Sequence, residues 1–146
     1  ASIPAATIEG VPLRVLMGSA YGLTSPVLTY AETLYVEAHL QAGQTLALPN
    51  SEERAIYVAK GSLKIKDSII PEFAMVILSA ADGVVIEAAE ESRIALIGGE
   101  KMAKRYIEWN FISSRKERIE QAKQDWRAGN FPTVVGDEDE FIPYPN

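Results

Sequence analysis

His39 is the one histidine of the chain and the residue best suited to metal or acid–base chemistry, with Glu37 two positions earlier on the same face of a strand. Mononuclear metal sites in β-barrels usually combine two or three imidazoles with a carboxylate, which suit iron, manganese or copper. His39 and Glu37 supply at most half of such a set, and ligands come in clusters. We therefore predict a surface or cross-strand role for His39 and no metal site in this chain.

Motifs for nucleophilic and phosphate chemistry are equally hard to find. Any serine–histidine pair would have to use His39, and the segment GSAYG (18–22) carries Ala20 where a nucleophile elbow carries serine. The chain has no cysteine, which excludes disulfides and thiolate chemistry. No catalytic, cofactor-binding or metal-binding residue is predicted. We do not expect this chain by itself to be an enzyme, and whether a longer parent protein is one stays open.

Charge and hydropathy restrict the partners. The formal net charge is −6, and the acidic run 137–140 alone supplies four negative charges. The basic residues Arg115, Lys116 and Arg118 alternate with acids, which is typical of a solvated helix face rather than a nucleic-acid surface. The apolar run 74–78 is too short to cross a bilayer, and the first ten residues lack a secretion signal. We expect a cytoplasmic protein without nucleic-acid or membrane contacts.

The elements that must position these residues are short strands. In the segment 33–40, Leu34, Val36, Ala38 and Leu40 alternate with polar or aromatic residues, as in a half-buried strand. About eight such strands follow one another at spacings of roughly 8 to 12 residues, separated by turn residues. This pattern predicts an all-β antiparallel sandwich or barrel, and we assign residues 1–112 to it.

A single helix is predicted over 113–129, followed by an extended tail over 130–146. The run from Ser114 to Glu117 has the pattern of a capping box, and Gly129 supplies a left-handed stop. We expect the tail to pack on the barrel or on a neighbouring domain. The candidate interaction or packing residues, for which packing around the helix is the more ordinary role, are Trp109, Asn110, Arg118, Trp126, Phe141 and Tyr144.

Several segments together resemble the C-terminal half of pirin-like proteins, members of the cupin superfamily. They are LRVLMGSAYGLTSPV (13–27), TLYVEAHLQAGQTLALP (33–49), AIYVAKG (55–61), ALIGGE (95–100) and WNFISSRKERIEQAKQDWRAGNF (109–131) followed by EFIPYP. The resemblance implies an antiparallel cupin-type barrel (a double-stranded β-helix) with one C-terminal helix. In that family an N-terminal barrel carries a histidine-rich motif and iron or a related metal. Some bacterial members are quercetinases, and others are described as protein-interaction partners.

The cupin ligand motif is a glycine, five residues, His-x-His, a short spacer, a glutamate, six residues and a second glycine. Against it, Gly43 and Gly61 are retained, whereas the segment 49–51 (Pro-Asn-Ser) replaces His-x-His and Arg54 replaces the glutamate. A further histidine expected around residues 71–85 is also missing. The resemblance therefore implies a metal-free barrel, with any iron held by an N-terminal barrel, because an arginine repels a divalent metal.

Three functional interpretations follow. The first is a metal-free C-terminal barrel of a bicupin with a structural or protein-interaction role, its partner being the N-terminal barrel of the same protein or another chain. The second is a part of a quercetinase-like dioxygenase whose metal site lies outside this chain. The third is a barrel that binds a small ligand inside. Homo-oligomerisation and the question whether the chain is a fragment are left open.

Overall fold

The computed structural model describes residues 2–145, which fold into fourteen strands and one helix. The first seven strands are β1 (Ala5–Ile8), β2 (Val11–Met17), β3 (Ser19–Ala20), β4 (Leu23–Thr24), β5 (Thr33–Leu40), β6 (Thr45–Ala47) and β7 (Glu53–Lys60). The next are β8 (Leu63–Ile65), β9 (Ser68–Ile70), β10 (Met75–Leu78), β11 (Val85–Ala88), β12 (Ser92–Gly99), β13 (Tyr106–Glu108) and β14 (Phe111–Ser113). The helix α1 comprises Lys116–Arg127.

The strands form a six-stranded sheet in the order β1-β2-β5-β12-β7-β10 and a four-stranded sheet in the order β6-β11-β8-β9. The ladders within both sheets are antiparallel. Two short hairpins, β3-β4 and β13-β14, complete the sheet structure of residues 2–145. The all-β cupin-type architecture expected from the sequence is confirmed.

The alternation of β5 explains how the core forms. Its four aliphatic residues are buried, and the residues between them are partly exposed. The same period of two recurs in β2 and β12, so aliphatic side chains from several strands meet on one face of the six-stranded sheet. The largest fully buried side chains of the core are Leu40, Leu46, Ile56, Leu63, Ile86 and Leu96, with Val11, Val15, Val36 and Val58.

The chain divides into two compact units, one ending at Lys101 and the other beginning at Met102. We call them the barrel unit and the hairpin–helix unit. The division differs from the sequence-based boundary at residue 112, because the hairpin β13-β14 groups with α1 instead of with the barrel strands. The sequence analysis predicted no strands over residues 106–113, so it could not identify this hairpin.

The predicted capping box at the start of the helix is wrong. The helix begins at Lys116 with Arg115 as N-cap in an extended conformation, and no side chain caps it. Ser114 thus lies outside the helix, while the Ser113 hydroxyl accepts a hydrogen bond from the Arg115 amide at 3.1 Å. The predicted stop is confirmed: Gly129 has φ +70°, and its amide donates to the Trp126 carbonyl at 3.2 Å.

No helix within residues 2–145 has the length and apolarity needed to cross a bilayer.

Candidate functional site

The turn geometry of the ligand motif is preserved. Gly43 and Gly61 both have positive φ, +79° and +77°. A Cβ atom on Gly61 would lie 2.3 Å from the Glu91 carbonyl oxygen, so no other residue fits this position without a backbone shift. These two glycines bracket the segment in which a cupin would place its metal ligands.

Arg54 occupies the glutamate position of the motif and is only 2% exposed. Its alternation with Ile56 and Val58 along β7 directs all three side chains to the same face of the sheet. The guanidinium donates to the carbonyl oxygens of Pro49 at 2.7 Å, Ser79 at 3.3 Å and Ala81 at 2.5 Å. Arg54 therefore ties the segment before β7 to the turn after β10, and a positive charge stands where the motif has a metal-binding carboxylate.

The Nε atom of Arg54 is buried without a hydrogen-bond partner among the described residues. A buried donor without an acceptor costs about 1–3 kcal/mol. The other donors of the guanidinium meet three carbonyl oxygens, which are neutral acceptors. The charge is thus solvated by peptide dipoles rather than paired with a carboxylate.

The residues that replace His-x-His have structural roles of their own. The Ser51 hydroxyl is buried and donates to the Gly99 carbonyl at 3.0 Å, while Asn50 is exposed and accepts from the Ser51 amide at 3.0 Å. Within residues 2–145 no group of three or more His, Cys, Asp and Glu side chains is arranged to hold a metal ion. Neither the donor set nor its geometry at the motif positions fits the metal of the cupin family.

His39 lies on the outer face of the six-stranded sheet. Its Nε2 is 2.8 Å from Glu91 Oε1, and Lys60 Nζ is 3.2 Å from the other oxygen of that carboxylate. Hydrogen bonds from His39 and then Lys60 hold the pKa of the Glu91 carboxyl below its usual value. Glu37 is engaged separately, because it accepts from Arg14 Nε at 3.1 Å. His39 and Glu37 thus have different partners, Glu91 and Arg14, and do not form half of a metal site.

A shallow groove of about 470 Å³ runs along the same outer face. Its lining includes residues of β1 and β2 together with the charged groups Arg14, Glu37 and Arg93 and the imidazole of His39. On the opposite face the aliphatic side chains of the core cluster pack together. Tyr21 borders this core and donates to the Ala47 carbonyl at 2.8 Å, and burial raises its pKa to about 12.

The hairpin–helix unit is built around aromatic side chains. Trp109 lies in the turn of the β13-β14 hairpin with φ +53°, an uncommon conformation for a bulky residue. Its ring centroid is 5.0 Å from that of Trp126 and 5.4 Å from that of Tyr144, both in edge-to-face geometry. Phe141 stacks on Trp126 at 5.8 Å. Four of the six residues chosen from the sequence therefore meet in one aromatic cluster.

Hydrogen bonds fasten the tail to this cluster. The Trp126 indole donates to the Ile142 carbonyl at 2.8 Å, and the Tyr144 hydroxyl donates to Glu108 at 2.5 Å. Lys123 Nζ lies 2.6 Å from the same carboxylate, and hydrogen bonds from Lys123 and then Tyr144 keep the pKa of Glu108 below its ordinary value. The tail, predicted to pack on the barrel or on a neighbouring domain, makes these contacts with α1 and the β13-β14 hairpin.

The remaining two candidates stand apart from the cluster. Asn110 and Arg118 are exposed, and neither side chain makes a hydrogen bond or ion pair within the described part of the chain. Sequence reasoning overlooked Glu108 and Lys123, since single charged residues carry no periodic signal. It also omitted Phe111 from the candidates, although this residue packs against Trp109 at 5.5 Å.

Comparison with known proteins decides the family. The model of the pirin C-terminal cupin domain matches residues 35–132 of the chain. The chain belongs to the pirin C-terminal cupin family. The family expected from the sequence segments is thereby confirmed. The match ends at residue 132, five residues after the end of α1.

The alignments with known relatives cover most of this chain. A pirin-like protein of Caulobacter vibrioides is 41% identical over 99% of this chain and 51% of its own length. A candidate quercetin 2,3-dioxygenase of Pseudomonas aeruginosa is 30% identical over 82% of this chain and 43% of its own length. A solved quercetin 2,3-dioxygenase of Acinetobacter baumannii superposes with a TM-score of 0.85 over 99% of this chain and 50% of that one, at 20% identity, which shows the shared fold.

This pirin cupin domain spans about half the length of the relatives it matches. Human pirin shows the same proportion, at 30% identity over 86% of this chain and 46% of its own length.

Proposed function

We propose that this chain serves as a metal-free C-terminal barrel of a pirin-like bicupin, with a structural and protein-interaction role. Its partner is the N-terminal barrel of the same protein, and any iron or related metal belongs to that partner. The observation that carries the proposal is Arg54, a buried cation held by three carbonyl oxygens at the position of a metal-binding carboxylate.

The electrostatics support this role. A divalent ion placed near the Arg54 guanidinium would meet a like charge in a low-dielectric interior, where the repulsion is weakly screened. The positions of the two histidines are taken by Pro49 and Ser51, which offer no imidazole. A barrel that folds without metal-ligating residues can still bind a partner through its surface.

Association is tested with a joined protein in which this chain replaces the matched half of the Caulobacter vibrioides pirin-like protein, with a protease site at the junction. After cleavage we expect the two halves to co-elute on gel filtration, because the interaction does not depend on the covalent link. Separate elution of two folded halves at micromolar concentration would contradict the proposal.

A second candidate is that the parent protein is a quercetinase-like dioxygenase whose chemistry lies outside this chain. The relative from Pseudomonas aeruginosa, with its 30% identity, favours it. The joined protein loaded with iron(II) is then expected to consume quercetin and dioxygen. This chain alone is expected to consume neither under the same conditions, and a metal-loaded but inactive joined protein would count against a dioxygenase.

A further inference from the structure

The outer face of the six-stranded sheet carries an apolar row that crosses four strands. Tyr35 on β5 pairs with Ile97 on β12, which pairs with Ala55 on β7, which in turn pairs with Ile77 on β10. In an antiparallel sheet, directly paired residues point to the same side. The inner side is occupied by their buried neighbours, so this row faces outward.

A second row lies next to the first. Ala95 on β12 pairs with Tyr57 on β7, and Tyr57 pairs with Met75 on β10. Three of these side chains are well exposed, with exposed fractions of 40% for Ile97, 55% for Met75 and 82% for Ile77, whereas the small Ala55 between Ile97 and Ile77 is only 8% exposed. We call these seven residues the apolar face: Tyr35, Ala55, Tyr57, Met75, Ile77, Ala95 and Ile97.

Charged and polar residues border the apolar face on the β2 side. Glu37 on β5 pairs with Ala95 and so continues the second row, and it accepts a hydrogen bond from Arg14. Two residues further along each strand, Arg93 on β12 pairs with His39 on β5. An apolar centre with tyrosine and methionine, rimmed by arginine and other charges, is the usual composition of a protein interface. Tyrosine and arginine are also the residues most often found as binding hot spots.

The apolar face reaches an open sheet edge. β10 is the last strand of the sheet within residues 2–145, and Met75–Leu78 contains no charged residue and no proline. Exposed edge strands pair readily with other chains, and proteins usually protect them with lysine, proline, a bulge or a covering segment. β10 contains neither lysine nor proline, and its outer side is apolar. A covering segment is therefore the form of protection that fits this edge.

We propose that the apolar face is the surface on which the other half of a full-length pirin-like chain docks. This inference rests on the proposed function, which requires an intramolecular partner. The relatives are about twice as long as this chain, so a domain of similar size lies beyond the matched region. The docked partner covers Ile77 and Met75 and meets the charged rim at Arg93 and Arg14.

Cysteine labelling tests the location, since the chain itself contains no cysteine. Ile77→Cys reports on the apolar face, and Ile69→Cys is the matched control. Ile69 is 58% exposed and lies on β9, the edge strand of the other sheet. Each variant is treated with a maleimide in the isolated chain and in the joined protein, whose other half has its own cysteines replaced.

We expect alkylation at position 77 to slow by about tenfold or more on going from the isolated chain to the joined protein, and by less than about twofold at position 69. Equal rates at position 77 in the two proteins would overturn the inference. If the cleaved halves still co-elute in that case, the proposed function stands and only the docking face is wrong. Protection of position 77 that grows with concentration in the isolated chain would instead identify a second copy as the occupant and overturn the inference.

A charge substitution gives a second, independent measurement. Ile77→Glu in the cleaved joined protein is expected to weaken association of the halves by about a hundredfold, because a hot-spot position would bury an unpaired carboxylate. Ile69→Glu should leave the dissociation constant within about threefold. Equal dissociation constants for the two variants would remove position 77 from the interface.

Discussion

The barrel unit and the hairpin–helix unit are stabilised in different ways. The barrel unit has an aliphatic core in which many side chains are fully buried, with Arg54 as a buried cation at its edge. The hairpin–helix unit comprises residues from Met102 onward, and its helix buries Ile119 while its aromatic rings are only partly covered. The larger aliphatic core buries more apolar surface, whereas a small unit with a partly covered aromatic cluster depends more strongly on each of its contacts.

The largest effect is expected when the motif carboxylate is restored in the barrel unit. Arg54→Glu places a negative charge among the carbonyl oxygens of Pro49, Ser79 and Ala81, which lose their donor. We predict a loss of about 3–5 kcal/mol in the free energy of unfolding, measured by urea denaturation. Added iron(II) should not restore the stability, because one carboxylate without histidines makes a poor site.

Arg118→Glu is the matched control for this substitution, since Arg118 is exposed on the helix. It should change the free energy of unfolding by about 0.5 kcal/mol or less. Similar losses for the two variants would show that Arg54 has no special structural role.

A smaller, local effect is expected in the hairpin–helix unit. Trp109→Ala removes the ring that contacts Trp126 and Tyr144, at a predicted cost of about 2–3 kcal/mol for a partly buried aromatic residue. Hydrogen exchange of the α1 amides should accelerate by a factor of about 30 or more, while the β12 amides should keep their rates. Uniform acceleration in both units would mean that they unfold together, and Asn110→Ala in the same turn is the control.

The smallest effect concerns the hydrogen bond from Tyr144 to Glu108. The pKa of Glu108 is lowered in the folded state, so its contribution to stability is complete above its ordinary value of 4.5 and is lost as the pH falls through the native pKa. Tyr144→Phe should therefore accelerate α1 exchange at pH 7, and the difference from the unsubstituted chain should shrink below pH 4.5. A difference that does not vary with pH would exclude Glu108 as the acceptor that matters.

The sequence predicted the barrel better than the site because the two depend on different signals. The alternation of Leu34, Val36, Ala38 and Leu40 is a local pattern of period two, and the structure buries all four residues. Gly43 and Gly61 also locate the segment of the ligand motif in the sequence. The carbonyl partners of Arg54 come from segments up to 27 residues away, and no local pattern identifies them.

In the hairpin–helix unit the sequence indicated individual residues but not how they are arranged. Trp109, Trp126, Phe141 and Tyr144 were chosen by residue type, yet their meeting in one cluster depends on the turn at Trp109 and on the fold of the tail. The helix start was placed three residues too early, at residue 113 instead of Lys116, because Ser114 and Glu117 match a capping box by spacing alone. Spacing predicts a cap only where the backbone at the serine is the last extended residue, and here that residue is Arg115.

Metal content is the measurement that tests the central claim most directly. The purified 146-residue chain is equilibrated with iron(II) under anaerobic conditions, passed through a desalting column and analysed for iron, with the Arg54→Glu and His39→Gln variants beside it. The account predicts that all three proteins retain no more iron than a protein without metal ligands. Stoichiometric iron in the unsubstituted chain, lost on substitution of His39, would contradict it.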